Sequence, residues 1–448
     1  NQTSRPLTED FGLAAAFEAC ADAHAEDSAL IFCGESLNYA DLRKRVDAIA
    51  TALFEAGTGE GDVVAMCLDR GFDTIAAVVA AVKLGAISAA IDPTHPRAHR
   101  ERILADTGAD VFLSHAAHVP DGDFSGTVIV AEEIGDAVHP ELPTARQKPD
   151  GIYNLVYTSG STGLPKGVLI PFGALQNRLE WMWNAYPWQE GDVALLQKSY
   201  AIVASSWEIW GSLLKGVPTV IADYNELLDP AELWQLCVSN GVTHLLSSPA
   251  LITSVLSQAE RPETSWPSLR FATTSAEAIS PALVRRWQAA FPDVPLLNLY
   301  GSTECSSNVT VFDTAELGPD AEAVPIGKPI DNCAVYVLNS RQQAVPQGAV
   351  GEMCVRGACL AAGYYGDTGD DGRFVENPFG APGERLYRTG DIVRLNNAGD
   401  LEVIGREDQQ VNVRGFRVEL GGIEACLASH PDIDKACARV WQTGNERH

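Results

Sequence analysis

Short apolar runs alternate along most of the chain with stretches whose apolar positions recur every three to four residues. Residues 63–68 (Val-Val-Ala-Met-Cys-Leu) predict a strand, 73–84 a helix, 87–91 a strand, 97–107 a helix and 111–114 a strand. The pattern resumes with strands at 217–222, 242–248, 269–274 and 296–299, separated by helices at 230–240, 251–258 and 281–291. Crossovers of this length between apolar strands imply parallel sheets with helices on both faces, an α/β chain. After about Pro325 the pattern changes to strict alternation with many glycines, as at 333–338 and 350–355, which predicts a β-rich unit resembling a small barrel. From Asp408 a short basic strand pair and a helix at 420–429 follow. These roughly forty residues are few for an independent domain. The expected organisation is a core over 1–407, with two α/β subdomains and a β-barrel, and an incomplete C-terminal subdomain over 408–448.

Composition narrows the function classes. The chain has 448 residues, with 59 acidic against 32 basic side chains and a formal net charge of −27. Nucleic acids and anionic lipid need a basic footprint, so neither is an expected partner. Ten cysteines are scattered singly, with no CxxC, and the histidines form no zinc-type pair with them. Such cysteines read as reduced core residues. The N-terminus lacks the layout of a signal peptide, and the most apolar stretch, 74–82, is too short to span a bilayer. A cytoplasmic protein is expected. The chain does not begin with Met, which suggests a piece of something longer.

The most informative stretch runs from Leu155 to Val168. An apolar strand feeds Thr158, Ser159, Gly160, Ser161, Thr162 and Gly163, then Lys166. Glycines let backbone amides face an anion without a Cβ clash, hydroxyls add donors, and lysine adds charge. The run departs from the GxxxxGK[ST] loop, because Pro165 precedes the lysine and Gly167 follows it.

This segment resembles the nucleotide-binding loop of the adenylate-forming superfamily, which comprises acyl-CoA synthetases, luciferases and the adenylation domains of nonribosomal peptide synthetases. The resemblance continues in register through 37–42, 84–93, Asn298-Leu-Tyr-Gly-Ser-Thr-Glu304, 351–357 with Gly363-Tyr-Tyr365, 387–394, and 405–415 with Val418-Glu-Leu420. The wording of these motifs favours the peptide- and depsipeptide-synthetase branch. It implies the adenylate-forming fold and an ATP-dependent ligase that makes an acyl-adenylate. The acyl group would then pass to the phosphopantetheine thiol of a carrier domain in the same polypeptide.

What each residue would do follows from that resemblance. Thr158, Ser159, Ser161, Thr162 and Lys166 hold the β- and γ-phosphates, with Gly160 and Gly163 shaping the loop. Thr303 contacts the α-phosphate and Glu304 binds Mg²⁺, which takes carboxylate and phosphate oxygens. Tyr300 offers a face for adenine. Asp391 accepts from the ribose hydroxyls, assisted by Arg406. Asp408 is the hinge of the small domain. Asn412 stands where the family pattern has lysine.

Two departures bear on the substrate. Gln197 to Glu208 corresponds to the family segment FDxSxWE, and the aspartate that pairs with an α-ammonium falls on Val203. A buried cation without a counter-charge costs roughly several kcal/mol, so an α-amino acid is not expected. The other residues aligned with the pocket are Ala204, Trp207, Ala250, Ala272, Thr274, Leu299, Ser307 and Asn308. That lining is mostly apolar and suits a branched aliphatic α-keto acid. An α-hydroxy acid or aryl acid, or a free-standing acyl- or aryl-CoA ligase, is the alternative. The second departure is the lysine of the family's last motif, which has no counterpart, since Lys435 lacks the Gly-Lys context. The small domain is therefore expected to be completed elsewhere, as around an inserted ketoreductase, and the chain by itself to adenylate slowly. A non-catalytic, substrate-binding role without the lid is the remaining alternative.

Overall fold

The computed structural model describes the chain except residues 123, 159–164, 262–263, 367–371, 408–409, 414–415, 421–422, 425–426, 428–432, 434–435, 444–445 and 448. The chain folds as two compact units. One comprises Pro6–Tyr157 and Gly167–Val242, the other Asn1–Arg5, Thr158–Lys166 and Thr243–His448.

The first unit is built on two sheets. In the larger, Ile152–Thr158, Ile87–Ala90, Val63–Cys67, Val111–Ser114 and Thr127–Val130 lie side by side in that order, with Lys166–Pro171 next to Ile152–Thr158. Val64 pairs in parallel with Ser88 on one side and Val111 on the other. The crossover helix Phe72–Leu84 is buried from Thr74 to Leu84, so the most apolar stretch of the sequence is a core helix. Even Lys83 is buried, held by Glu18 at 2.6 Å and Asp47 at 2.5 Å. Gly85 ends that helix in the left-handed conformation, φ 73°, a role that favours glycine. Asn38 caps the next-door helix Tyr39–Glu55, its side chain accepting from the Asp41 amide at 2.8 Å. The second sheet orders Glu35–Asn38, Ser28–Phe32, Thr219–Ile221 and Ala194–Leu196. Leu30 pairs with Thr219, almost two hundred residues away.

In the second unit, His244–Ser247, Phe271–Thr274 and Leu296–Tyr300 run parallel, and Thr310–Asp313 and Lys328–Pro329 add antiparallel. The helices Pro249–Ala259 and Pro281–Ala290 both begin with a Ser-Pro pair. The Ser248 and Ser280 hydroxyls each accept an amide of the first turn, and proline takes N1, where no hydrogen bond is lost. The β-rich part is antiparallel: Val350–Gly357 pairs with Cys333–Leu338 and with Arg385–Leu395, and the latter also pairs with Phe374–Glu376 and Leu401–Arg406. Beyond it lies the hairpin Gln410–Val413 and Phe416–Glu419. The helix expected at 420–429 falls mostly outside the described residues.

The described cysteines are free thiols, most of them buried, and among the described residues no three His, Cys, Asp or Glu cluster in a way that could hold a metal. No helix among them is long and apolar enough to cross a membrane.

Candidate functional site

The chain enters the glycine-rich loop from Ile152–Thr158 and leaves it into Lys166–Pro171. The Thr158 hydroxyl donates to the Lys166 carbonyl at 3.4 Å, which draws the two ends of the loop together. Ser159, Gly160, Ser161, Thr162 and Gly163 lie outside the described residues, as does Asp408. The Lys166 ammonium sits 5.3 Å from the centroid of the Tyr364 ring, a cation–π contact. The Tyr364 hydroxyl donates to Glu304 Oε1 at 3.2 Å. Glu304 is only 2% exposed, and its carbonyl accepts from the Ala361 amide at 2.9 Å. Tyr364 thus bridges the loop lysine and the acidic residue of the NxYGxTE motif. In the sequence it stands inside a motif with no task of its own.

A second cluster forms around Asp391. Asp391 and Arg406 are register partners on neighbouring antiparallel strands, so their side chains share a face. Arg406 Nη1 donates to Asp391 Oδ1 at 2.8 Å and Nη2 to the Thr389 carbonyl at 3.3 Å. The Tyr300 hydroxyl donates to the other carboxylate oxygen, and the Asp391 amide donates to the Thr389 hydroxyl at 3.0 Å. Burial and the adjoining Asp391 carboxylate push the Tyr300 hydroxyl well above the ordinary phenol range, so it remains a donor. A carboxylate oxygen carries two lone pairs and can accept more than one hydrogen bond.

Between these clusters runs the turn from Gly301 to Asn308. The strand Leu296–Tyr300 delivers Tyr300, and Thr303–Cys305 form one turn of 3₁₀ helix. Ser306 and Ser307 have φ of 51° and 94°, a costly conformation for side-chain-bearing residues. The Ser307 carbonyl approaches Gly301 so closely that a Cβ there would lie 1.7 Å from it. The Ser302, Ser306 and Thr274 hydroxyls are buried without a hydrogen-bond partner among the described residues. An unsatisfied buried hydroxyl costs about 1–3 kcal/mol, which a ligand that bonds to it would recover.

These residues fit a magnesium nucleotide. Lys166 and Thr158 flank the loop, Asp391 has acceptor capacity for hydroxyls, and Glu304 supplies one nearly buried carboxylate. Mg²⁺ is held by one or two carboxylates together with phosphate oxygens and water, so a single glutamate suits it.

The residues aligned with the acid pocket fall in both units. In the second unit, Ala272 and Thr274 are buried two apart on one strand, and Leu299 is buried on its neighbour. Ser307 donates to Asn308 Oδ1 at 3.4 Å, and Ala250 is exposed at the start of its helix. In the first unit, Val203 is 5% exposed in the connection from Ala194–Leu196 to the helix Ser205–Leu213. Trp207 stacks on Trp188 with rings 3° from parallel and 5.9 Å apart.

Two residues outside the expected set hold that connection. Glu208 Oε2 accepts from the amides of Gln197 at 3.0 Å and Lys198 at 2.8 Å, and Lys198 Nζ is 3.8 Å from Oε1. Burial raises the Glu208 carboxyl above the usual range, opposed by the Lys198 charge and the two amides. At the other end Arg178, from the helix Phe172–Ala185, donates to Ser206 Oγ at 2.9 Å and to the carbonyls of Val203 and Ala204 at 3.4 and 3.5 Å. Burial pulls the Arg178 guanidinium down to about 10, so it is charged at neutral pH. Nothing in the sequence around Arg178 marks it, because its partners are brought to it by packing.

Comparison with known proteins places the arrangement. Residues 17–365 match the family model described as AMP-binding enzyme. The chain is 37% identical over 419 residues to the phosphinothricin tripeptide synthetase PhsB of Streptomyces viridochromogenes, covering 92% of this chain and 35% of that protein. It is 34% identical to a dimodular nonribosomal peptide synthase of Bacillus subtilis, covering 96% of this chain and 19% of the relative. It thus spans about a third or less of the length of these relatives. Among solved structures, the AMPPNP-bound form of the nonribosomal peptide synthetase FmoA3 (S1046A) aligns with a TM-score of 0.84 at 27% identity, over 91% of this chain and 44% of that one. The chain belongs to the AMP-binding enzyme family, as an adenylate-forming ligase of the adenylation-domain type.

Proposed function

We propose that this domain activates a branched aliphatic α-keto acid as its acyl-adenylate, within a nonribosomal peptide or depsipeptide synthetase. The acyl group then passes to the phosphopantetheine thiol of a carrier domain. A carboxylate oxygen of the acid attacks the α-phosphorus of ATP, and the bond to the pyrophosphate oxygen breaks, releasing pyrophosphate. Little covalent work falls to the protein, which aligns two anions and neutralises the charge that develops on the phosphates. Lys166 and the loop hydroxyls neutralise the leaving pyrophosphate, Thr303 steadies the α-phosphate, and Asp391 and Arg406 hold the ribose. Glu304 would hold Mg²⁺, which would supply charge neutralisation at the phosphates.

The observation that carries the choice of acid is Val203. It is buried, and no residue from 197 to 207 is acidic. The neighbouring carboxylate, Glu208, is already engaged by two amides and Lys198. With the Arg178 cation against the Val203 carbonyl, the surroundings disfavour a second positive charge. A neutral keto oxygen meets no such cost. An α-hydroxy acid shares that neutrality and is the second reading.

An ATP–pyrophosphate exchange panel tests the proposal. Exchange is expected with 2-oxoisocaproate or 2-oxoisovalerate and not with leucine or valine; strong exchange with leucine overturns it, and exchange confined to 2-hydroxyisocaproate moves the substrate to the second reading. Val203→Asp is expected to lower exchange with the keto acid by roughly 10²-fold, because it buries an unpaired carboxylate, and to raise exchange with leucine. Arg178→Met releases the far end of the same connection. The KM for the acid should rise by about tenfold while the KM for ATP changes less than about twofold, and Arg178→Lys should recover part of the loss. Equal effects on both substrates would refute a positioning role.

A further inference from the structure

The larger sheet of the first unit has a feature that nucleotide chemistry does not use. From Val63–Cys67 the chain crosses to Ile87–Ala90 on one side, and from Val111–Ser114 it continues to Thr127–Val130 on the other. Val63–Cys67 and Val111–Ser114 are parallel neighbours. Because the connections after them depart in opposite directions, a crevice opens off their C-terminal ends, the place where open α/β sheets take ligands.

A cavity of about 200 Å³ lies against those ends. Its apolar part is lined by Ile91, Leu104 and Phe112, its polar part by Arg100, His118 and the Cys67 thiol together with Arg97, Glu101 and Asp121. Arg100 Nη1 is 3.6 Å from Cys67 Sγ and 3.2 Å from His118 Nδ1, and Arg100 Nε is buried without a hydrogen-bond partner among the described residues. His118 Nε2 lies 2.8 Å from Asp69 Oδ1. That contact places the imidazole proton on Nε2 and leaves Nδ1 to accept from Arg100. Burial pushes the Cys67 thiol up to about 11, so it is neutral near pH 7.

Arg100 has no carboxylate partner among the described residues, because the Glu101 and Asp121 carboxylates on the same cavity wall are taken by Arg97. One turn earlier, Arg97 at the rim has both Glu101, at 2.7 Å, and Asp121. In a chain with 59 acidic side chains, a cation turned into a cavity and left without one is a seat for an external anion.

We propose that this cavity binds a small carboxylate with an apolar tail of four or five carbons, its head on Arg100 and its tail against Ile91, Leu104 and Phe112. The site is independent of the acid chosen for adenylation, and it makes the domain responsive to short-chain acids.

Calorimetric titration of the full chain with 3-methylbutanoate tests it, with inorganic phosphate as the second arm. One binding event is expected with 3-methylbutanoate. It should be weakened at least about tenfold in Arg100→Gln, which removes the charge, and in Ala117→Trp, which fills the cavity from an exposed turn. The event should persist in Val203→Asp, which separates it from the acid site, and both cavity variants should retain exchange with the cognate acid. Absence of saturable binding overturns the proposal, as does equal binding in Ala117→Trp. Binding of phosphate but not of 3-methylbutanoate overturns it as well, because the apolar wall would then play no part.

Discussion

Gly301→Ala is expected to lower kcat/KM for ATP–pyrophosphate exchange by at least about 10²-fold. The added methyl would stand 1.7 Å from the Ser307 oxygen, 2.6 Å from its carbonyl carbon and 2.9 Å from the Asn308 Cα. These are backbone atoms, so no side-chain rotation relieves the clash, and the turn from 302 to 308 has to move by more than an ångström. That turn carries Thr303, Glu304, Ser307 and Asn308, and misplacing reacting groups by about an ångström can cost two orders of magnitude. Stability should fall as well, by about 1–3 kcal/mol for overpacking in a well-packed place. Exchange kinetics with thermal denaturation check both parts. A Gly301→Ala protein that exchanges within about threefold of the parent would show that the turn does not position the reacting groups.

Asp391→Asn should raise the KM for ATP by about 10²-fold while the KM for the acid stays within about threefold. The substitution keeps the shape but leaves one acceptor oxygen where two are in use. Arg406 donates to Oδ1 and the Tyr300 hydroxyl to Oδ2, so an amide nitrogen placed on either side turns a donor against a donor. The negative charge that opposes Arg406 and strengthens bonds from ribose hydroxyls is lost at the same time. Exchange measured as a function of ATP concentration separates the two effects. An acid KM that rises as far as the ATP KM would show that Asp391 acts on the whole site rather than on the nucleotide.

Much of the local structure can be read without coordinates. The Ser-Pro pairs at 248–249 and 280–281 announce the helices that begin there, and Gly85 announces the end of another, because cap chemistry involves neighbours in sequence. The residues proposed to hold the nucleotide are legible for a different reason. Thr158, Lys166, Tyr300, Glu304, Asp391 and Arg406 each sit in a short motif, and the motifs follow one another in register. Pairings across long stretches of chain are not legible. The strand expected at 217–222 looks like the start of the run that continues at 242–248. The structure instead pairs Thr219–Ile221 with Ser28–Phe32 and assigns His244–Ser247 to the other unit. An apolar run records that a strand is buried, not which sheet buries it.

The sequence by itself determined the residues from which the chemistry is proposed: a hydroxyl- and glycine-rich loop with a lysine, the carboxylates Glu304 and Asp391, and the valine at position 203. It also determined most helices and strands, because periodicity and caps act over a few residues. Only the tertiary structure decided that the Tyr300 hydroxyl holds Asp391, that Tyr364 links Lys166 to Glu304, and that Arg178 and Glu208 secure the two ends of the connection bearing Val203. These contacts join residues from about ten to two hundred positions apart. They form because packing the sheets and helices brings those groups together and removes the water that would otherwise satisfy them.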